Sequence, residues 1–189
     1  MPLTTLDERS ALVAVDLQQG LRGYPLAHPM DEVISRAAGL AAAFRRHGLP
    51  VVLVNAAGRA PGRTDQPRPA LAPAAGWMDF APELGQQPGD LVVTKRAPGA
   101  FGDSPLAGLL RERGVTQVVI VGVATSNGVE ATARGAYDLG FNVTLPIDAM
   151  TDTSADLHHH CVERVFPRLA ECGACADLLA LLALRGEEK

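Results

Sequence analysis

The feature that most constrains this chain is the alternation of short, almost uninterrupted apolar runs with segments of helical periodicity. Ala11-Leu12-Val13-Ala14-Val15 is apolar throughout and stops at Asp16, and Val51-Val52-Leu53-Val54 stops at Asn55. Between them, residues 30–47 place Val33, Ala37, Leu40, Ala41 and Phe44 at the three- and four-residue spacing of one helix face, and Gly48 followed by Pro50 ends it. Asp90-Leu91-Val92-Val93-Thr94 opens a second series, followed by a helix over 105–113 closed by Gly114 and by the run Val118-Val119-Ile120-Val121. A helix over 128–139, a strand over 142–145 and helices over 155–166 and 175–184 complete it. Strands that are apolar on both faces need cover on both faces, which crossover helices supply. The expected fold is therefore α/β, a three-layer sandwich around a parallel sheet.

A chain of 189 residues has the length for one such core, so a single domain over residues 1–189 is expected. Seventeen Lys and Arg against twenty-one Asp and Glu leave a net charge of -4, which disfavours a phosphate backbone as partner. The apolar runs fall far short of the roughly 20 residues that span a membrane, and the N-terminus lacks the layout of a signal peptide. Three cysteines, all from Cys161 onward, do not make a disulfide framework and fit a reducing compartment. These features predict a cytoplasmic protein with neither a nucleic-acid nor a membrane partner.

In open parallel sheets, ligands bind beyond the carboxyl ends of the strands, where the strand order reverses. The residues to examine are therefore Asp16, Asn55, Lys95 and the stretch 122–128. Residues 56–89 break the alternation, with a proline-rich composition and a lone Trp77, and a long loop inside a compact domain is often functional. A carboxylate and an ammonium at neighbouring strand ends make an acid/base and electrostatic pair. Spacing alone equally admits an Asp that caps a turn and a Lys at the surface.

The segment Val118-Val119-Ile120-Val121-Gly122-Val123-Ala124-Thr125-Ser126-Asn127-Gly128-Val129-Glu130-Ala131-Thr132-Ala133-Arg134 adds what spacing lacks. Together with Asp16 and Gln18, Lys95-Arg96 through Phe101 to Pro105-Leu106, and Asp148-Ala149-Met150-Thr151-Asp152, it resembles the isochorismatase-like hydrolases, the superfamily that also contains the nicotinamidases. The resemblance covers nearly the whole chain. It implies a Rossmann-like, six-stranded parallel sheet, a cis peptide between Val123 and Ala124, and Asp16 with Lys95 as the catalytic pair. It also implies a substrate pocket drawing on Gln18, Phe101, Ala124, Thr125, Ser126 and Asn127, and a homodimer or higher homo-oligomer formed through the helix after Gly128.

Gly128 departs from the pattern. Most of the family carries a Cys there, at a helix N-terminus that favours a thiolate. Loss of the nucleophile from a hydrolytic triad costs roughly six decades of rate, so thioester chemistry does not carry over. The true isochorismatases resemble this chain in having Gly at that position, and they cleave a vinyl ether: the Asp protonates the enol carbon, an oxocarbenium forms and water adds. Removal of the thiol is expected to leave room for a bulkier substrate. For such chemistry Asp16 must be protonated, which burial favours and Lys95 opposes. The expected function is acid/base hydrolysis of a small anionic molecule, with Gly128 marking the Cys-free site. Alternatives are an amide hydrolase with another nucleophile, such as Ser126, and a silent member that binds a ligand or assembles.

Anion partners are sought among Arg59 and Arg63, on a Gly-rich loop beyond a strand, and among Arg22 and Arg96, because guanidinium forks suit carboxylates. Neither cofactor nor metal is expected: the zinc ligands of nicotinamidases lie after the second strand, and here there is no histidine between His47 and His158. His158-His159-His160 reads as a solvated polar turn, since adjacent residues at a helix start point in different directions. Cys172-Gly173-Ala174-Cys175 has dithiol spacing but no thioredoxin-like context, and reads as two buried or incidental thiols.

Overall fold

The computed structural model describes residues 3–65 and 74–185. Part of the proline-rich segment, residues 66–73, thus lies outside the described residues. Strands β1 (Ser10–Val15), β2 (Val51–Ala56), β3 (Leu91–Lys95), β4 (Gln117–Val123), β5 (Asn142–Pro146), β6 (Met150–Thr151) and β7 (Glu171–Gly173) alternate with helices α1 (Met30–Arg46), α2 (Leu106–Glu112), α3 (Glu130–Asp138), α4 (Ala155–His160) and α5 (Cys175–Leu184). The strands form one sheet in the order β3-β2-β1-β4-β5-β7, with β6 paired to β4. Every ladder is parallel.

Two apolar layers follow from the alternation along the strands. Leu12, Ala14, Leu53, Val119 and Val121 face α1 and α5, against Ile34, Leu40, Phe44, Leu178 and Leu182. Ala11, Val13, Val15, Val54, Val118 and Ile120 face the other way, toward Leu106 and Leu110 of α2 and Ala133 and Ala136 of α3. All six residues of β1 and all seven of β4 are buried, which is why they read as continuous apolar runs. Helix α1 matches its periodicity, carries Asp31 and Glu32 in its first turn and Arg45 and Arg46 in its last, and ends at Gly48 with φ +67°.

Four elements differ from expectation. The helix expected from residue 128 begins earlier, as a π-helical turn over Thr125–Val129 that runs into α3. The helix expected over 155–166 is α-helical only to His160, then widens into a π turn, Cys161–Val165, and a tight 3-10 turn, Phe166–Arg168, around Pro167. Strands β6 and β7, of two and three residues, have no apolar run to announce them. The 3-10 turn Ile147–Ala149 offsets the chain, so that β5 pairs with the start of β4 and β6 with its end.

The strand order reverses between β1 and β4, which opens the crevice of such a sheet beyond Val15 and Val123. The two strands come unusually close there. Gly122 pairs with Val15 at φ +130°, and a Cβ on it would lie 1.9 Å from the Val15 carbonyl oxygen, so only glycine fits.

Candidate active site

Asp16 leaves β1 with φ +56°, the left-handed conformation, which a non-glycine residue adopts at a cost of order 1–3 kcal/mol. That turn takes the side chain out of the strand alternation, and the Asp16 N–H donates to the Val54 carbonyl at 2.8 Å. Lys95 is the last residue of β3, two strands away, in register with Ala56. Its long stem carries the ammonium past the end of β2, and Nζ donates to Asp16 Oδ2 at 2.8 Å and to the Ala97 carbonyl at 3.4 Å. Asp16 is 7% and Lys95 3% exposed, so the pair is shielded from water.

The two oxygens of Asp16 are inequivalent. Oδ2 accepts from Lys95, whereas Oδ1 is buried with no hydrogen-bond partner among the described residues. An anion in that setting is costly. Burial outweighs the attraction and hydrogen bond of Lys95 and pushes the Asp16 carboxyl up to about 6. Protonation of the carboxyl removes the buried negative charge, while Lys95 remains on Oδ2.

Gly128 lies directly against this carboxyl group. A Cβ at 128 would sit 2.8 Å from the Val123 carbonyl oxygen, 3.0 Å from Asp16 Oδ2 and 3.3 Å from Val15 Cγ1. The expectation that the missing thiol leaves free room is therefore corrected: the surroundings of Gly128 leave no space even for a Cβ, and any side chain requires a shift of the main chain. The Val123-Ala124 peptide is cis.

The turn after β4 is held from behind. The Ser126 N–H donates to Asp152 Oδ2 at 2.6 Å, and the other Asp152 oxygen accepts from the Thr153 N–H at 2.7 Å. Thr125 is fully buried, with Oγ1 2.9 Å from His158 Nδ1. Thr132 Oγ1 donates to the Gly128 carbonyl at 2.6 Å and accepts from the Ala100 N–H at 3.1 Å, joining the segment after Lys95 to the turn. Ala124 and Ser126 are half-buried and Asn127 is exposed, so these three line the accessible side of the turn.

Other sequence candidates have different placements. Gln18 is completely buried: Oε1 accepts from the Ala56 N–H at 2.8 Å, while Nε2 donates to the carbonyls of Trp77 at 3.1 Å and Ala56 at 3.4 Å. It bridges the ends of β1 and β2 to the loop that carries Trp77. Asn55 does similar work, accepting from Thr94 Oγ1 at 2.7 Å and donating to the Met78 carbonyl at 3.0 Å. Phe101 is packed away from the pair, its ring 5.9 Å from that of Phe141, which precedes β5, and its side chain against Gly135 of α3. Arg59 and Arg63 stand exposed beyond β2. Arg22 is engaged by Glu83 at 2.6 Å and Asp31 at 3.4 Å, and the stem of Arg96 lies beside Gly58.

Sequence reasoning missed His158, Thr132 and the clamp made by Asp152, whose partners are distant in the chain. The reading of 158–160 as a solvated turn holds for His159 and His160, which are exposed, and is corrected for His158, which is buried. Cys161, Cys172 and Cys175 are free thiols, and burial raises each, Cys172 to about 11, far from a thiolate at neutral pH. No group of three or more His, Cys, Asp or Glu among the described residues is arranged to hold a metal, and none of the described helices is long and apolar enough to cross a membrane.

Comparison with known proteins places the chain in a family. The model of the isochorismatase domain matches residues 10–177. The isochorismatase family protein YecD of Escherichia coli O157:H7 is 37% identical over 182 residues, which is 92% of this chain and 96% of that one. Streptothricin hydrolase of Streptomyces noursei is 36% identical over 140 residues, 74% of this chain and 48% of that one. A solved structure of an isochorismatase family protein from Burkholderia thailandensis superposes with a TM-score of 0.91 at 39% identity, covering 96% of this chain and 98% of that one. The α/β fold and the length of these matches agree, and the chain belongs to the isochorismatase family, as an isochorismatase-like hydrolase.

Proposed function

We propose that this hydrolase works without a covalent nucleophile, and that Asp16 is the acid that cleaves a small anionic vinyl ether of the isochorismate type. The observation that carries the reading is the state of Asp16: a buried carboxyl raised to about 6, one oxygen on Lys95 and the other free, beside a glycine. A thiolate mechanism has no atom to use at Gly128, whereas protonation of carbon needs only a positioned acid.

Asp16 delivers its proton to the terminal CH2 carbon of the enol ether, and the adjacent carbon becomes an oxocarbenium stabilised by the ether oxygen. The carboxylate left on Asp16 is paired with Lys95, so the charge that forms has a partner already in place. Water adds to the oxocarbenium and loses a proton to Asp16. The resulting hemiketal breaks its bond to the ring oxygen, giving the ring alcohol and a 2-keto acid, and the acid is restored. Arg59 and Arg63 are suited to the substrate carboxylates by charge and fork geometry.

The test is turnover of isochorismate, followed by release of pyruvate, in the wild type and in Asp16→Asn and Asp16→Ala. Wild-type turnover is expected, with a loss of about a hundred- to ten-thousandfold in both variants, the usual worth of a general acid. Equal turnover in Asp16→Asn overturns the reading. So does a wild type that leaves isochorismate intact and cleaves an amide.

A further inference from the structure

Behind the 124–128 turn lies a group of histidines that the reaction does not use. His158 of α4 is 7% exposed, and its Nδ1 is 2.9 Å from the hydroxyl of the fully buried Thr125. Its ring meets that of His28, which precedes α1, edge-on at 4.9 Å, and that of His159 at 5.7 Å. Thr151 binds His28 in turn, accepting from its backbone N–H at 3.0 Å. The groups that face His158 are thus His28 from the segment before α1, His159 from its own helix, and Asp152 from the end of β6. Both anchors of the turn come from this one place: Asp152 takes the Ser126 N–H and His158 the Thr125 side chain.

We propose that His158 is a positioning residue for this site: as a neutral imidazole it accepts the Thr125 hydroxyl and so keeps the turn seated against Asp16. Turn and acid are close neighbours, since a Cβ added at Gly128 would lie 3.0 Å from Asp16 Oδ2. Protonation at Nδ1 turns the acceptor into a donor. The Thr125 hydroxyl must then rotate, and its hydrogen must find another acceptor where no water reaches it, a cost that a buried group does not meet without local rearrangement. Burial, His28 and His159 all disfavour the charged ring and Asp152 alone favours it, so His158 stays neutral to lower pH than an ordinary histidine. The site then has two opposed requirements, a protonated Asp16 and an unprotonated His158.

The inference concerns the turn and rests on the vinyl-ether reading only for its kinetic arm. In the full-length Asp16→Asn protein, where the acid itself no longer titrates, the amide shifts of Ser126 and Gly128 and the ring protons of His158 are followed by NMR from about pH 5 to 8. The turn amides are expected to move with the His158 ring at one shared midpoint below the ordinary 6.5. Adding His158→Asn, which keeps an acceptor near the Nδ1 position and does not titrate, is expected to flatten their course at the high-pH limit. Turn amides that stay still while His158 titrates, or that titrate unchanged with Asn at 158, overturn the proposal. If Asp16→Asn does not fold, the same comparison between wild type and His158→Asn decides it, because the Asp16 titration is common to both. In the kinetic arm, Thr125→Val is expected to lower kcat on isochorismate about tenfold with little change in KM, the worth of one buried hydrogen bond. His158→Asn is expected to extend the acid limb of the pH profile to lower pH. An unchanged kcat in Thr125→Val, or an unchanged acid limb, overturns it as well. A wild type inactive on isochorismate ends the vinyl-ether reading and leaves the NMR comparison to judge His158.

Discussion

A carboxyl group buried at a strand end avoids an isolated charge either by binding a cation or by keeping its proton, and Asp16 combines the two. Lys95 holds Oδ2, and burial still raises the group to about 6. The sign of the pH dependence follows. The folded state binds this proton more tightly than the unfolded chain, whose Asp titrates near 3.8. The contribution of Asp16 to stability is therefore complete below about pH 4 and is lost as pH rises through about 6, by on the order of 3 kcal/mol. Denaturant midpoints of wild type and Asp16→Asn, compared across that range, are expected to show the wild type losing ground as pH rises. Lys95→Met removes the charge that lowers Asp16, so a carbon-13 titration of its carboxyl is expected to show a midpoint above that of the wild type. Gly128→Ala forces a Cβ against the Val123 carbonyl and the Asp16 carboxyl, and is expected to cost about 1–3 kcal/mol in urea unfolding. For the same reason Gly128→Cys is expected to disturb the turn and to confer no amidase activity.

Elements carry these residues to one place, and the ties between elements are testable in turn. Thr132 gives one hydroxyl to two partners, the Gly128 carbonyl and the Ala100 N–H, both buried. Thr132→Val keeps the shape and leaves the Ala100 donor unpaired, an expected loss of about 1–3 kcal/mol together with a changed Gly128 amide shift by NMR. Elements that hydrophobicity alone creates were legible in the sequence: β1, β2 and β4 are apolar because both of their faces are covered, and α1 shows its buried stripe. Elements created by their neighbours were not. β6 exists because the turn at 147–149 delivers Met150 and Thr151 alongside β4, and the π-helical entry to α3 is set by bonds from Val129 to Ala124 and from Ser126 to Asp152. The candidate site divides in the same way. Asp16 and Lys95 stand at the ends of recognisable strands, whereas His158 and Asp152 meet the turn from 33 and 26 residues away, a relation that no local pattern records.

Across the whole molecule, the reversal of strand order between β1 and β4 decides where chemistry is available. It brings Asp16, the 124–128 turn and, across the end of β2, the Lys95 ammonium to one crevice, with an apolar layer on each face of the sheet supporting them. Gln18 and Asn55 close the β2 side by tying strand ends to the loop of Trp77 and Met78, so Gln18, expected in the pocket, and Asn55, expected only at a strand end, are both bonded into the frame. Such a frame holds an acid, its counter-ion and a close-packed glycine, and the central claim is that this set suffices for hydrolysis without a nucleophile. Proton NMR of the products formed from isochorismate in D2O tests the claim most directly, because protonation of carbon leaves an isotopic mark. Wild type is expected to yield pyruvate with one deuterium in its methyl group from the first turnovers, at a rate that falls about tenfold for each pH step of one above 6, and Asp16→Asn none above the uncatalysed rate. Pyruvate released by wild type without methyl deuterium, or the same labelled product formed at the same rate by Asp16→Asn, contradicts it.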